Sequence, residues 1–128
     1  MIGITSFGAY VPIYRLDREE IARAWAERAQ PGEKAVANSD EDSLTMGVEA
    51  ANDCLQGVDR NEVEGVYFAS TSPPYQRKQA ASILTPAADL GQEIFTADFT
   101  DSVRSGTSAL RAALDAVKAG SAKQVLVV

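Results

Sequence analysis

Apolar positions along the chain alternate between two rhythms, and the alternation predicts an α/β fold. Gly3 to Val11 reads as a first strand, with turn chemistry at Gly8 and Pro12. Asp17 then has the character of a helix N-cap, Glu20 stands three residues on as in a capping box, and Leu16 and Ile21 flank the pair as a hydrophobic staple. This first helix is expected to run through Trp25 to Arg28 and to stop at Pro31-Gly32. Residues 31 to 42 read as a polar loop. A second helix is predicted from Ser43, because Leu44, Val48, Ala51 and Leu55 recur at helical spacing, with Gly57 ending it.

Val58 to Val63 repeats the cap-and-staple arrangement in one short turn, which leads into an apolar strand at Val66–Ala69. After a loop from Ser70 to Tyr75, a third long helix is expected over Lys78–Leu90 with Gly91 as its cap, although Pro86 predicts a kink or an early end. Glu93–Phe99 reads as the next strand. The stripe Val103, Thr107, Leu110, Leu114 and Val117 predicts a helix to Ala119, closed by Gly120, and Gln124–Val128 reads as a buried strand. Strands separated by helices imply a mostly parallel sheet. The chain stops inside that last apolar run, which predicts a fragment or part of a larger assembly, since terminal residues usually lie at the surface.

Composition narrows the chemistry. The 128 residues suffice for one ordinary domain, and 45% hydrophobic with 23% charged residues is a globular profile. No apolar run reaches a membrane span and the N-terminus has no secretory pattern, so a cytoplasmic location without membrane association is expected. A net charge of −6 without a basic cluster argues against a nucleic-acid partner. The run Asp40-Glu41-Asp42 reads as the first turn of the second helix, where acidic groups meet the positive end of the dipole, rather than as a metal site. There is no histidine and one cysteine, Cys54, which reads as a small core residue. A Ser-His-Asp triad, a Cys-His pair and a His-ligated metal are therefore impossible within this chain. No glycine-rich phosphate loop is present, which argues against a nucleotide-binding domain.

In parallel sheets, ligands collect beyond the carboxyl ends of the strands. Two loops are predicted there, Ser70–Arg77 and Thr100–Gly106. The second joins a strand to a helix through a tight turn, a junction that sets one side chain beside free backbone N–H groups and the helix dipole. Such a turn suits a nucleophile, because the dipole lowers a thiol pKa and the amides stabilise an oxyanion.

The segment Ala97-Asp98-Phe99-Thr100-Asp101-Ser102-Val103-Arg104-Ser105-Gly106-Thr107, followed by Ala109-Leu110 and Ala112-Ala113-Leu114, resembles the nucleophile turn of thiolase-superfamily condensing enzymes, specifically beta-ketoacyl carrier-protein synthase III and the archaeal-type hydroxymethylglutaryl-CoA synthases. Matching Gly106-Thr107 to the family's Gly-Thr puts Val103 on the acylated cysteine. The opening Gly3-Ile4 through Gly8-Ala9-Tyr10-Val11-Pro12 with Tyr14-Arg15-Leu16, and Glu33-Lys34-Ala35-Val36 with Asp40-Glu41-Asp42, are similar to the same enzymes. The resemblance spans the whole chain. It implies the N-terminal half, over residues 1–128, of a fold made of two similar halves packed as five layers and normally dimerised. The other half carries the catalytic histidine.

What the resemblance implies for activity is divided. The family is an acyltransferase family forming carbon–carbon bonds on coenzyme A thioesters, with no other cofactor and no metal. Here valine supplies no nucleophile, and Thr71 stands near the glutamate of hydroxymethylglutaryl-CoA synthases. Ser102 or Ser105 as a replacement nucleophile is weaker than N-capping by Ser102 or Asp101. Arg104, Lys34, Arg77 and Lys78 are the candidates for holding CoA phosphates, or are solvated surface charges. Two readings stay open: a condensing-enzyme homologue inactive in this chain alone, or a non-catalytic acyl-CoA-binding or structural partner of an active thiolase-like or zinc-ribbon/OB-fold protein. Homo-oligomerisation is expected for a half-fold with open faces.

Overall fold

A computed structural model describes residues 1–128. The elements, in chain order, are β1 (Tyr14–Asp17), α1 (Arg18–Trp25), β2 (Glu33–Val36), α2 (Ser43–Cys54), a 3-10 turn (Arg60–Glu62), β3 (Val63–Ala69), α3 (Ala80–Ala87), β4 (Phe95–Phe99), α4 (Ser105–Ala119) and β5 (Gln124–Val127). They fall into two compact units, one made of Met1–Tyr10 with Ser43–Val128, the other of Val11–Asp42.

The larger unit is a three-stranded parallel sheet in the order β4-β3-β5. Alternation along β3 sends Val66 and Phe68 into one layer with Leu44 and Ala51 of α2, Leu55 just after it, and Leu84 of α3. Tyr67 goes to the other layer, against Ala109 and Ala113 of α4. Both faces of β3 are thus covered beyond Gly65, which is why Val66–Ala69 reads as a continuous apolar run, while the strand itself begins earlier, at Val63, with Glu64 exposed. Gly47 lets α2 approach the sheet: a Cβ there would stand 3.3 Å from Phe68 and 3.0 Å from Val128.

Three expectations need correction in this unit. Gly3–Val11 forms no strand. A strand exists only where a neighbouring strand takes up its amides and carbonyls; here the Ala9 amide goes to a side chain instead, donating to Asp53 Oδ2 at 3.0 Å, and Ser6 Oγ ties the segment to the Cys54 carbonyl at 2.6 Å. Gly8 is needed for that contact, since a Cβ would meet the Ala50 carbonyl oxygen at 2.7 Å. β5 lies at the sheet edge, and of its residues only Leu126 is buried. α3 is shorter than Lys78–Leu90: it ends at Ala87, with Pro86 in its last turn marking the early end, Ala88 as its C-cap and Asp89 left-handed (φ 54°), so Gly91 caps nothing.

α4 runs to Ala119 and is closed by left-handed Gly120, as the spacing predicts. Its buried row is Ser105, Ala109 and Ala113, not the stripe of larger residues, and Leu110 remains 38% exposed. Tyr67 packs with Phe99, at a centroid distance of 5.4 Å, in the layer that Ala109 and Ala113 cover, while Phe95, 6.0 Å from Tyr67, is 65% exposed.

In the unit Val11–Asp42, β1 and β2 pair antiparallel from Tyr14↔Val36 to Asp17↔Glu33. The expected polar loop 31–42 thus contains a strand. Asp17 is the N-cap of α1, its carboxylate accepting from Glu19 N at 2.9 Å. Glu20 pairs with Arg23 at 2.9 Å. The helix ends at Trp25 through left-handed Ala26 (φ 54°), before Arg28 and Pro31-Gly32. Asp40-Glu41-Asp42 precedes α2, whose first turn holds no acidic residue; Glu41 accepts from Asn38 N at 2.7 Å. No helix is long and apolar enough to cross a membrane.

Candidate functional site

Parallel pairing of β3 and β4, in register from Gly65↔Phe95 to Ala69↔Phe99, brings the loop after β3 and the turn after β4 to the same end of the sheet. Ser70 N donates to the Phe99 carbonyl at 3.1 Å, so the ladder extends into the first loop residue. The two segments singled out by the sequence are therefore neighbours. The N-terminus of α2 joins them, with Ser43 Oγ donating to the Ser72 carbonyl at 2.9 Å.

The turn after β4 is held by its own polar groups. Asp101 is left-handed (φ 64°), and Thr100 Oγ1 donates to its carboxylate at 3.0 Å. Ser102 Oγ accepts from Arg104 N at 3.1 Å, and the Ser102 carbonyl accepts from Ser105 N at 3.0 Å and Ser105 Oγ at 2.6 Å. Arg104 occupies the N-cap of α4 and makes no side-chain capping bond. The expected capping by Ser102 or Asp101 is thus replaced by a turn folded back on itself, which begins the helix two residues later. Ser105 is buried with its hydroxyl committed to a carbonyl. Neither serine is paired with a base in this network.

Val103 stands at the tip of that turn, 94% exposed. A large aliphatic side chain gains nothing from water at that position, so packing within this chain does not explain it. Gly106, in the first turn of α4, has open space where a Cβ would be. It lines a groove of about 590 Å³ with Ile4, Leu110, Leu114 and Val127, one that runs beside the bare edge of β5.

On the neighbouring loop, Thr71, Arg77 and Lys78 are all exposed. The Lys78 ammonium lies 5.2 Å from the Tyr75 ring centroid, a cation–π contact that holds one charge of the loop in place. Arg104 is also exposed, its carbonyl accepting from Ser108 N and Thr107 Oγ1 at 2.9 Å. Lys34 is on β2, in the unit Val11–Asp42. Two residues that organise the site escape sequence reasoning, Ser43 and Asp98. Asp98 Oδ2 accepts from Ala80 N at 2.6 Å and its Oδ1 from Ala81 N at 2.9 Å. Its one visible signal is an acidic residue between the apolar Ala97 and Phe99 near the end of a strand.

No family model matches the chain. It is 38% identical to the hydroxymethylglutaryl-CoA synthase of Pyrococcus horikoshii over 130 residues, covering 99% of this chain and 37% of that protein. A hydroxymethylglutaryl-CoA synthase from Archaeoglobus fulgidus is also 38% identical, with 100% of this chain and 40% of the relative covered. The chain thus spans well under half the length of the curated relatives it matches. Among solved structures it is similar to the beta-ketoacyl carrier-protein synthase III of Thermus thermophilus, with TM-score 0.84 and 23% identity over 97% of this chain and 41% of the other. It is also similar to MvaS in complex with 3-hydroxy-3-methylglutaryl coenzyme A, with TM-score 0.81 and 25% identity over 93% and 31% of the two chains.

Proposed function

We propose, from the premise that the chain has the N-terminal half of a thiolase-like fold and is homologous to hydroxymethylglutaryl-CoA synthase along its whole length, that it presents an acyl-CoA thioester without forming an acyl-enzyme. The observation that carries this reading is the exposed Val103 at the tip of the β4–α4 turn. In this reading Val103 takes the place of the acylated cysteine and Thr71 that of the glutamate. Arg77, Lys78 and Arg104 offer charge to the phosphates; coenzyme A is a ligand or substrate, and no other cofactor is invoked. The turn retains the physical elements a thiol would use, an uncapped helix N-terminus and exposure to solvent.

The test restores the thiol. In V103C, the introduced thiolate attacks the thioester carbonyl of acetyl-CoA, the carbon–sulfur bond to coenzyme A breaks, and coenzyme A leaves and takes up a proton. Intact-mass spectrometry should find one acetyl group on V103C and none on the parent, while both bind acetyl-CoA in calorimetry. Acetylation of the parent, or no acetyl-CoA binding by either protein, defeats the reading. Because Val103 is 94% exposed, the substitution should move the unfolding free energy by no more than about 0.5 kcal/mol.

A second reading, a structural or acyl-CoA-binding partner of an active thiolase-like or zinc-ribbon/OB-fold protein, is supported by the bare β5 edge and the open apolar groove beside it. Co-purification with such a partner favours it; a lone monomer by light scattering counts against it.

A further inference from the structure

The loop Ser70–Gln79 carries Thr71, Arg77 and Lys78, and it is fastened to β4 at both ends. At its start Ser70 N donates to the Phe99 carbonyl at 3.1 Å. At its end Gln79 Nε2 donates to the Thr96 carbonyl at 3.0 Å, and Thr96 Oγ1 returns a bond to Gln79 Oε1 at 2.7 Å. Gln79 is the N-cap residue of α3, and its side chain makes no capping bond. The cap comes from another element: the partly buried Asp98 carboxylate takes one amide on each oxygen, Ala80 N at 2.6 Å and Ala81 N at 2.9 Å.

We propose that Asp98 is the positioning residue that holds the Ser70–Gln79 loop in register with the turn bearing Val103 and Arg104. The proposal rests on the acyl-CoA reading for its function and on the hydrogen bonds alone for its mechanics. Asp98 stands on β4, the strand that leads directly into the turn, so one side chain connects the two segments of the site. The chemistry requires a carboxylate. Two adjacent amides at the positive end of a helix need two acceptors, and a negative charge strengthens both bonds. An asparagine offers one acceptor and sets an N–H₂ group against the second amide. A simple local cap would protect α3 only. A positioning residue also controls the far end of the loop, where Ser70 N bonds Phe99 and Ser72 N donates to Ser70 Oγ at 3.1 Å.

Amide exchange read residue by residue by NMR, with acetyl-CoA titration alongside, separates these roles in the full chain. In D98N the amides of Ser70, Ser72, Ala80 and Ala81 should exchange about tenfold faster, the scale of a lost helix cap, while those of β3 and α2 keep their rates. The acetyl-CoA dissociation constant should rise by a similar factor. D98A should enlarge both effects; if it does not fold, D98N alone decides. Acceleration confined to Ala80 and Ala81, or spread evenly over the whole chain, overturns the positioning role and leaves Asp98 a structural cap. Failure of the parent to bind acetyl-CoA sinks the functional reading instead, and the exchange pattern at Ser70 and Ser72 still decides the mechanical one.

Discussion

In the unit built from Met1–Tyr10 and Ser43–Val128, Val66, Phe68 and Leu84 are between 0% and 2% exposed. In the unit Val11–Asp42 the one buried residue is Ala22, while Ile13 and Trp25 stand 76% and 75% exposed. Both units have regular elements with proper hydrogen bonds. The difference is in what those elements bury. A cap at Asp17 and a two-stranded ladder shape the second unit, yet an isolated pair of strands is marginal in water and a two-turn helix is below the length that sustains itself. The first unit gains its stability from side chains removed from water. Local hydrogen bonding can specify an element's form, but apolar burial decides how firmly it is held.

The largest test of that contrast is Phe68→Ala. Phe68 is 2% exposed between the sheet and α2/α3, so its loss should cost about 3–5 kcal/mol in urea unfolding followed by circular dichroism. That is a large part of the stability of a typical domain. A cost below about 1 kcal/mol would mean that the layer is not a packed core.

A middle-sized effect is expected at Asp17→Ala, which removes the bond to Glu19 N. The loss is about 1 kcal/mol of helix stability, to be read as faster amide exchange at the start of α1. If the amides of β3 accelerate equally, the two units share one cooperative transition and the contrast fails.

The smallest effect is expected at Trp25→Ser. With 75% of the side chain in water, the unfolding free energy should stay within about 0.5 kcal/mol. A larger loss that grows with protein concentration would show that another chain covers this surface, and the second unit would then owe its stability to association.

Much of the fold was legible along the chain because its signals are local. Asp17 and Asp59 cap their turns through their own neighbours two residues on, and β3 reads as a strand because it is apolar on both faces. The turn at Thr100–Gly106 was visible too, as polar and small residues between a strand and a helix. What stayed hidden depended on partners distant in sequence. β1 and β2 consist of mixed residues, exposed along β1, and only their mutual pairing makes them strands. Gly3–Val11 has a strand's composition but no neighbour to complete it. The buried row of α4 follows the room left above Tyr67, not the size of its own residues.

At the site the division is the same. The sequence alone determined that this chain has no histidine, that valine stands at position 103, and that a helix opens just after it. Those facts limit its chemistry whatever the surroundings. Only the tertiary structure decided that Val103 faces water and that the Ser70–Gln79 loop lies beside its turn. It also joined Asp98 on β4 to amides 17 and 18 residues away on α3. Composition and local propensity act within a few residues. A carboxylate's choice of partner is settled when parallel strands align and one helix start comes within hydrogen-bond reach.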